Sequence, residues 1–306
     1  MPALPLKAGE VRIEVHAAGL NYPDALLVQG LYQVKPDLPF VPGYEVAGVV
    51  IEKAADVAGY QVGDRVIAIP NRGAWAEEIV VAADRLMAMP AAMSFAEGAA
   101  MPMVYGTSLY SLKQRGELKP GETLLVIGAG GGVGLAAVEI GRAMGARVLA
   151  AASTEEKRQL ARAHGADETI DYTKERLRDA VKRLTDGRGA DVIFDPVGGD
   201  AFDEAIRSIA WVGRLLIIGF ASGRIATLPT NLPLLKNCDV RGVTYGPWRN
   251  REPAEGLKNF EQLFDWYRAG KIKPQVTASY PLERTGAALQ DIMDRRVTGK
   301  IVLAMR

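Results

Sequence analysis

The run Gly128-Ala129-Gly130-Gly131-Gly132-Val133-Gly134 constrains this chain more than any other stretch. It directly follows the apolar segment TLLVI (123–127) and opens the apolar, helix-like VGLAAVEIGRAMG. A strand that ends in a glycine turn and feeds a helix lets backbone approach an anion closely and aims unpaired N–H groups at it. The spacing is G-x-x-G-G-x-G, not a literal G-x-G-x-x-G, so the reading rests on context. Between a buried strand and an apolar helix, the cluster is expected to hold the pyrophosphate of a dinucleotide, with Gly131, Gly132 and Val133 at the helix opening. The alternative is a structural turn with no ligand.

The surrounding rhythm supports an α/β reading. Apolar runs at 123–127, 147–152, 191–194 and 214–218 alternate with helix-like stretches at 133–144, 155–164, 174–184 and 201–210. A short strand at 168–172 and a sixth at 239–244 complete a doubly wound parallel sheet of six strands, covered on both faces. The first third is different. Val11, Ile13 and Val15 alternate with Arg12, Glu14 and His16, and further short strands at 44–51, 65–69 and 76–81 are set off by turn signals. Residues 94–112 read as helix, with Ser94 and Glu97 spaced as a capping box. The tail offers a helix (254–268), a strand (275–280), a helix (282–294) and a closing strand (300–305) that returns to the first body. The expected organisation is therefore a β-rich domain of residues 1–104 and 246–306, interrupted by a dinucleotide-binding domain of residues 105–245. The ligand cleft is expected between the two bodies.

The end of the second α/β strand distinguishes the two nicotinamide dinucleotides. An NAD site places an acid there to accept from the ribose hydroxyl. Here RVLAAA ends in Ser153-Thr154, with Lys157 one turn into the next helix. A hydroxyl and an ammonium suit the 2′-phosphate of NADPH. Glu155 and Glu156 run against that reading, although acids in a first helical turn also complement the dipole. The competing view makes Ser153 an N-cap and Lys157 a solvated residue. Asp195, at the end of the fourth strand, is either a ligand contact near the nicotinamide or a helix-start acid. Gly219-Phe220 ends the next strand, at the level where backbone groups meet the carboxamide.

Minor composition excludes several chemistries. The chain has one cysteine, Cys238, and two histidines, His16 and His164. An internal disulfide, a four-thiolate zinc site and a three-histidine metal centre are excluded. His16 is expected to be solvated or hydrogen-bonded, His164 to close a helix before Gly165, and Cys238 to be a buried small residue. Lys and Arg number 37 against 36 Asp and Glu, so no net field draws the chain to nucleic acid or anionic lipid. No stretch approaches the length of a membrane span, and the opening residues lack a signal-peptide core, so a cytosolic chain is expected.

GLNYPD (19–24), PGYEVAGVV (42–50), VGDRV (62–66), AWAEE (74–78), YGTSLYSL (105–112), GGGVG, ASTEEK, DPVGG and TGKIVL together resemble the medium-chain dehydrogenase/reductase superfamily. Within it, the chain is most similar to the zinc-independent quinone oxidoreductases of the zeta-crystallin type. The resemblance spans almost the whole sequence. It implies a GroES-like catalytic domain, an inserted Rossmann domain, NADPH as cofactor and a homodimer, for which the strand at 239–244 supplies a sheet edge. Zinc-dependent members carry a Cys in the loop that here reads Ala18-Gly19-Leu20-Asn21 and a His where Tyr44 stands. They also carry a four-Cys lobe that is missing after VGDRV, so no metal is expected. Asn21 matches the Asn beside the nicotinamide, and Thr107 matches the Thr that contacts the cofactor. Ser153, Lys157 and Tyr172 match the 2′-phosphate pocket, and Tyr32 matches a Tyr of the substrate cleft. Leu26 departs from the pattern, standing where several members carry a second Tyr. Only MPALPLKA precedes GEVRIEVHAAG, where members carry further strands: either the start is assigned late, or the catalytic domain is trimmed, which would expose strand edges and apolar surface unless something else covers them.

These features give an NADPH-dependent reductase of quinones or α,β-unsaturated carbonyls, with Asn21 and Tyr32 orienting or donating. The alternatives are an enoyl-thioester reductase and a non-catalytic NADPH-binding structural protein.

Overall fold

The computed structural model describes residues 5–305, so the first four residues of the short leader lie outside the description. The chain divides into two units. One contains the described residues up to Met103 together with those from Pro274 onward; the other is Val104–Lys273.

The first unit begins with strands β1 (Glu10–Gly19), β2 (Val46–Lys53), β3 (Arg65–Ala68), β4 (Glu78–Ala82) and β5 (Leu86–Ala88). Val11, Ile13 and Val15 are buried as their alternation predicts. The strand runs on past His16, with shifts in the β1–β2 register at Arg12/Ile13 and Val15/Ala17. Such bulges re-aim the chain, and β1 ends at Gly19, two residues before Asn21. The expected capping box is present: Ser94 accepts from the Glu97 N–H, and Glu97 accepts from the Ser94 N–H. The predicted long helix is broken, however, into Phe95–Ala100 and Pro102–Leu109, followed by a π-type turn at Tyr110–Arg115. Pro102 has no N–H to continue the ladder.

The second unit supplies β6 (Thr123–Ile127), β7 (Arg147–Ala151), β8 (Glu168–Ile170), β9 (Ala190–Asp195), β10 (Ile209–Ile217) and β11 (Asp239–Gly242). They form one parallel sheet in the order β11-β10-β9-β6-β7-β8. This is the strand order 3-2-1-4-5-6 of the doubly wound Rossmann sheet. Every residue of β6 is buried, as expected for a strand covered on both faces. The helix predicted over 201–210 spans Gly199–Ala205 instead. Ile209 and Ala210 belong to β10, whose pairing with β9 continues from the bond between the Ala190 N–H and the Ser208 carbonyl.

The chain also leaves this unit later than the predicted boundary at 246. Helices Tyr245–Arg251 and Pro253–Arg268 stay with the second unit. Trp248 stacks on Tyr110 at 4.1 Å between centroids. Buried Asn259 accepts from Lys113 Nζ at 3.2 Å and Gln114 Nε2 at 3.0 Å. At the exit, the Lys273 N–H bonds the buried Glu139 carboxylate. Back in the first unit, β12 (Val276–Pro281) and β13 (Lys300–Ala304) complete a seven-stranded sheet. Its order is β12-β13-β1-β2-β3-β5, with β4 paired to β1. This is the GroES-like body, and β13 lies directly against β1.

Candidate active site and dinucleotide site

In the second unit the dinucleotide site is built from the ends of parallel strands. Gly128 leaves β6 at φ +66°, a conformation suited to glycine. The Gly131 N–H returns to the Gly128 carbonyl at 3.1 Å, and the helix Gly132–Ala143 begins on the next residue. This helix has no side-chain cap and no acid in its first turn, so its leading N–H groups and dipole are presented to an anion. A Cβ at Gly134 would lie 2.2 Å from the Gly128 carbonyl oxygen, so only glycine allows the helix to close on the turn. Gly131, Gly132 and Val133 thus form one rim, with Gly132 and Val133 half-exposed. The Val133 carbonyl accepts from Ser108 Oγ at 2.8 Å, which ties the stretch carrying half-buried Thr107 to this rim.

The end of β7 has similar definition. A Cβ on Gly130 would meet the Lys157 stem at 2.4–3.0 Å, so the lysine lies against the glycine turn and is not an isolated surface residue. The N-cap of helix Glu155–Ala163 is Thr154, not Ser153. That leaves the competing role for Ser153 already filled. Tyr172 packs against the core of this unit. Arg158, which the sequence reading missed, is 7% exposed and joins three neighbours. It donates to Ala152 O at 3.1 Å and Glu155 Oε2 at 2.8 Å, and pairs with Asp171 Oδ2 at 3.0 Å. Its bond holds the Glu155 carboxyl below the usual range, so the acid that opens this helix already has a cationic partner. The signal for Arg158 was its place beside Lys157, but its partners lie on different strand ends.

Asp195 is buried, and Oδ1 accepts from the N–H groups of Val197 at 2.8 Å and Gly198 at 2.9 Å. Burial pushes its carboxyl up. That oxygen holds the DPVGG turn, which in turn packs on Phe220: a Cβ at Gly198 would lie 3.0 Å from Phe220 Cδ1. Phe220 is partly exposed just past the end of its strand. His164 closes its helix and bonds Glu139 Oε1 at 2.7 Å. His16 stacks on Phe95, and Cys238 is buried.

In the first unit the predicted Asn21 caps helix Tyr22–Val28 and sits in a buried charged network. Its Nδ2 donates to Glu45 Oε1 at 2.7 Å, and its Oδ1 accepts from Lys300 Nζ at 2.9 Å. Lys300 spends its other donors on Glu45 Oε1 at 2.7 Å and Leu20 O at 2.7 Å. Glu45 Oε2 accepts from the Met103 N–H at 2.7 Å. Both charged side chains are closed to solvent. The network fixes which way the Asn21 amide points. Gly19 is required beside it, since a Cβ there would lie 2.2 Å from Glu45 Oε1. Glu45 and Lys300 were not predicted as site residues. Tyr32 and Tyr44 are half-buried. Burial and then the Asp24 charge push both phenols up, with Tyr32 adding to Tyr44 and Arg72 opposing there. Tyr32 is not drawn into the Asn21 network.

The chain matches the family described as Alcohol dehydrogenase GroES-like domain over residues 7–91, and that described as Zinc-binding dehydrogenase over residues 132–262. A resident zinc implied by the second description does not fit these residues. Glu45 is bonded to Lys300, Asn21 and a backbone N–H, and Tyr44 offers no imidazole. Among the described residues, no group of three His, Cys, Asp or Glu side chains could hold a metal. A nicotinamide dinucleotide does fit the chemistry of the glycine turn, whose helix start has no side-chain cap and no acid in its first turn. Among curated relatives, the quinone oxidoreductase-like protein 2 homolog of Nematostella vectensis is 40% identical over 97% of this chain and 82% of its own length. Among solved structures, the Escherichia coli quinone oxidoreductase complexed with NADPH is 30% identical with a TM-score of 0.91, covering 99% of this chain and 94% of that one. The Thermus thermophilus quinone oxidoreductase, solved also with NADPH, is 34% identical with a TM-score of 0.88 over 100% and 94% of the two chains.

Proposed function

Because the chain belongs to the quinone oxidoreductases of the medium-chain dehydrogenase/reductase superfamily, we propose that it reduces a quinone or an α,β-unsaturated carbonyl with NADPH and without zinc. The observation that carries this reading is the Lys157 stem lying on Gly130. It brings an ammonium-bearing chain to the glycine turn, with Ser153 at the strand end and Glu155 already paired. A 2′-phosphate would be held by Ser153, Lys157 and Tyr172, the pyrophosphate by Gly131, Gly132 and Val133, and the nicotinamide half by Thr107 and Phe220. When bound, the nicotinamide supplies the hydride.

The chain's own task is to orient the acceptor and to meet the negative charge that develops on its oxygen. The Asn21 amide is aimed by Glu45 and Lys300, so it needs no reorganisation as charge appears. Tyr32 supplies a phenol whose ionisation is suppressed by burial and by Asp24, which keeps its proton available. Lys300 keeps the buried Glu45 paired; a zinc ion would have to break that bond.

The test is acceptor-dependent oxidation of NADPH across a panel of simple quinones, enones and an enoyl-CoA. The expected result is turnover with quinones or enones and a strong preference for NADPH over NADH. Turnover of the enoyl-CoA alone would replace this reading with an enoyl-thioester reductase. Cofactor binding with no turnover would make the chain a binding protein.

A further inference from the structure

We propose that Arg158 makes the site selective for NADPH by holding Glu155 and Asp171, the two acids carried on the same segments as the proposed 2′-phosphate residues; this rests on the NADPH reading above.

Each segment that supplies a phosphate contact also brings an acid. Glu155 stands two residues after Ser153 and two before Lys157, and Asp171 directly precedes Tyr172. An acid at the end of the second strand accepts from the 2′-hydroxyl of NADH, and the same charge repels a 2′-phosphate. A free Glu155 would therefore work against the Lys157 ammonium.

Arg158 binds both acids at once. Its Nε and one terminal nitrogen donate to Glu155 Oε2 at 3.2 and 2.8 Å. The other terminal nitrogen lies 3.0 Å from Asp171 Oδ2 and donates to the Ala152 carbonyl at 3.1 Å. A planar guanidinium fork can serve three acceptors in fixed directions, and the burial of Arg158 limits screening by salt. The second oxygen of each acid is also engaged. Glu155 Oε1 accepts from Gln159 Nε2 at 3.2 Å and lies 3.7 Å from an Arg162 nitrogen. Asp171 Oδ1 accepts from the Thr173 N–H at 3.1 Å and its hydroxyl at 2.6 Å. The Glu155 carboxylate is thus turned along its own helix toward residues 158, 159 and 162, which share one face. Lys157 meanwhile lies against Gly130, so the two adjacent cations divide the work.

The same side chain fixes both segments. The Ala152 N–H bonds the Ile170 carbonyl at 3.1 Å, while the Ala152 carbonyl accepts from Arg158. Ser153 follows Ala152 and Tyr172 follows Asp171, so each comes directly after a residue bonded to Arg158. Arg158 is therefore a positioning residue, acting on the cofactor through these neighbours.

The experiment titrates the full chain with NADPH and with NADH by fluorescence and reads the ratio of the two dissociation constants. General loosening weakens both cofactors alike, so the ratio isolates selectivity. Arg158→Met should lower the preference for NADPH about tenfold or more, with NADH binding kept or improved. Arg158→Met/Asp171→Asn should show the same fall; it frees Glu155 and leaves no half-buried acid unpaired, so it carries the test where the single variant does not fold. Adding Glu155→Gln to that pair should restore most of the wild-type preference. Glu155→Gln alone, with Arg158 in place, should leave the ratio within about twofold, because the acid is already held. An unchanged ratio on loss of Arg158, no recovery on adding Glu155→Gln, or a large gain in NADPH preference from Glu155→Gln alone would each overturn the role of Arg158 and leave the NADPH reading intact. A wild type that binds NADH as tightly as NADPH would overturn that reading, and this role with it.

Discussion

At the residue scale, two lysines make separable predictions. Lys157 lies on Gly130 beside the expected 2′-phosphate position. Removing one charge-assisted bond costs about 1.5–3 kcal/mol, so Lys157→Ala should raise the NADPH dissociation constant by at least tenfold and leave NADH binding nearly unchanged. Fluorescence titration with both cofactors measures this, and equal losses would show that Lys157 ignores the phosphate. Lys300 is the cation bonded to buried Glu45. Lys300→Met leaves a buried carboxylate unpaired and should cost about 3–5 kcal/mol, read from urea unfolding. Adding Glu45→Gln should recover part of that loss. The glycine turn, Ser153 and Lys157 were legible because they lie within one local strand–turn–helix pattern. Glu45 and Lys300 were not, since they stand 255 positions apart and meet only through the pairing of β13 with β1.

At the element scale, the six parallel strands followed from continuous apolar runs, because a strand covered on both faces needs no alternation. The errors fell at joins. The residues at 206–210 suit a helix by composition, yet Ile209 and Ala210 enter the sheet before an irregularity in the β9–β10 register between Ile209 and Arg214. Val212 is β-branched and sits at φ +55°, a conformation unfavourable by about 1–2 kcal/mol for a residue with a Cβ. Val212→Gly should therefore stabilise the protein by about 1 kcal/mol, visible as a higher denaturant midpoint with an unchanged slope. A loss of stability would mean that the exposed valine makes contacts worth more than the strain. The helix Pro253–Arg268 shows a further limit. Phe260, Leu263 and Phe264 announce a buried face, but an apolar face does not say which body will cover it. Asn259 and its bonds to Lys113 and Gln114 decide that.

At the scale of the whole molecule, β11 is the outer strand of its sheet and pairs only with β10 among the described strands. Ile225, Leu234 and Leu235, in the segment before it, are largely exposed. An open edge flanked by apolar side chains is a natural two-fold contact. We therefore expect a homodimer formed through β11, and Val240→Pro, which removes a backbone donor, should weaken it. Light scattering at assay concentration checks this; a monomeric wild type would reject it. No helix among the described residues is long and apolar enough to cross a membrane.

Zinc-free reduction of a conjugated acceptor by NADPH is the reaction at stake. A single-turnover mixing experiment tests it directly, using chelator-treated protein loaded with one equivalent of NADPH and then mixed with a quinone or an enone. Full loss of the NADPH absorbance is expected, together with one equivalent of reduced acceptor, unchanged by chelator or added zinc. Persistence of NADPH with every acceptor, or oxidation restored only by zinc, would contradict it.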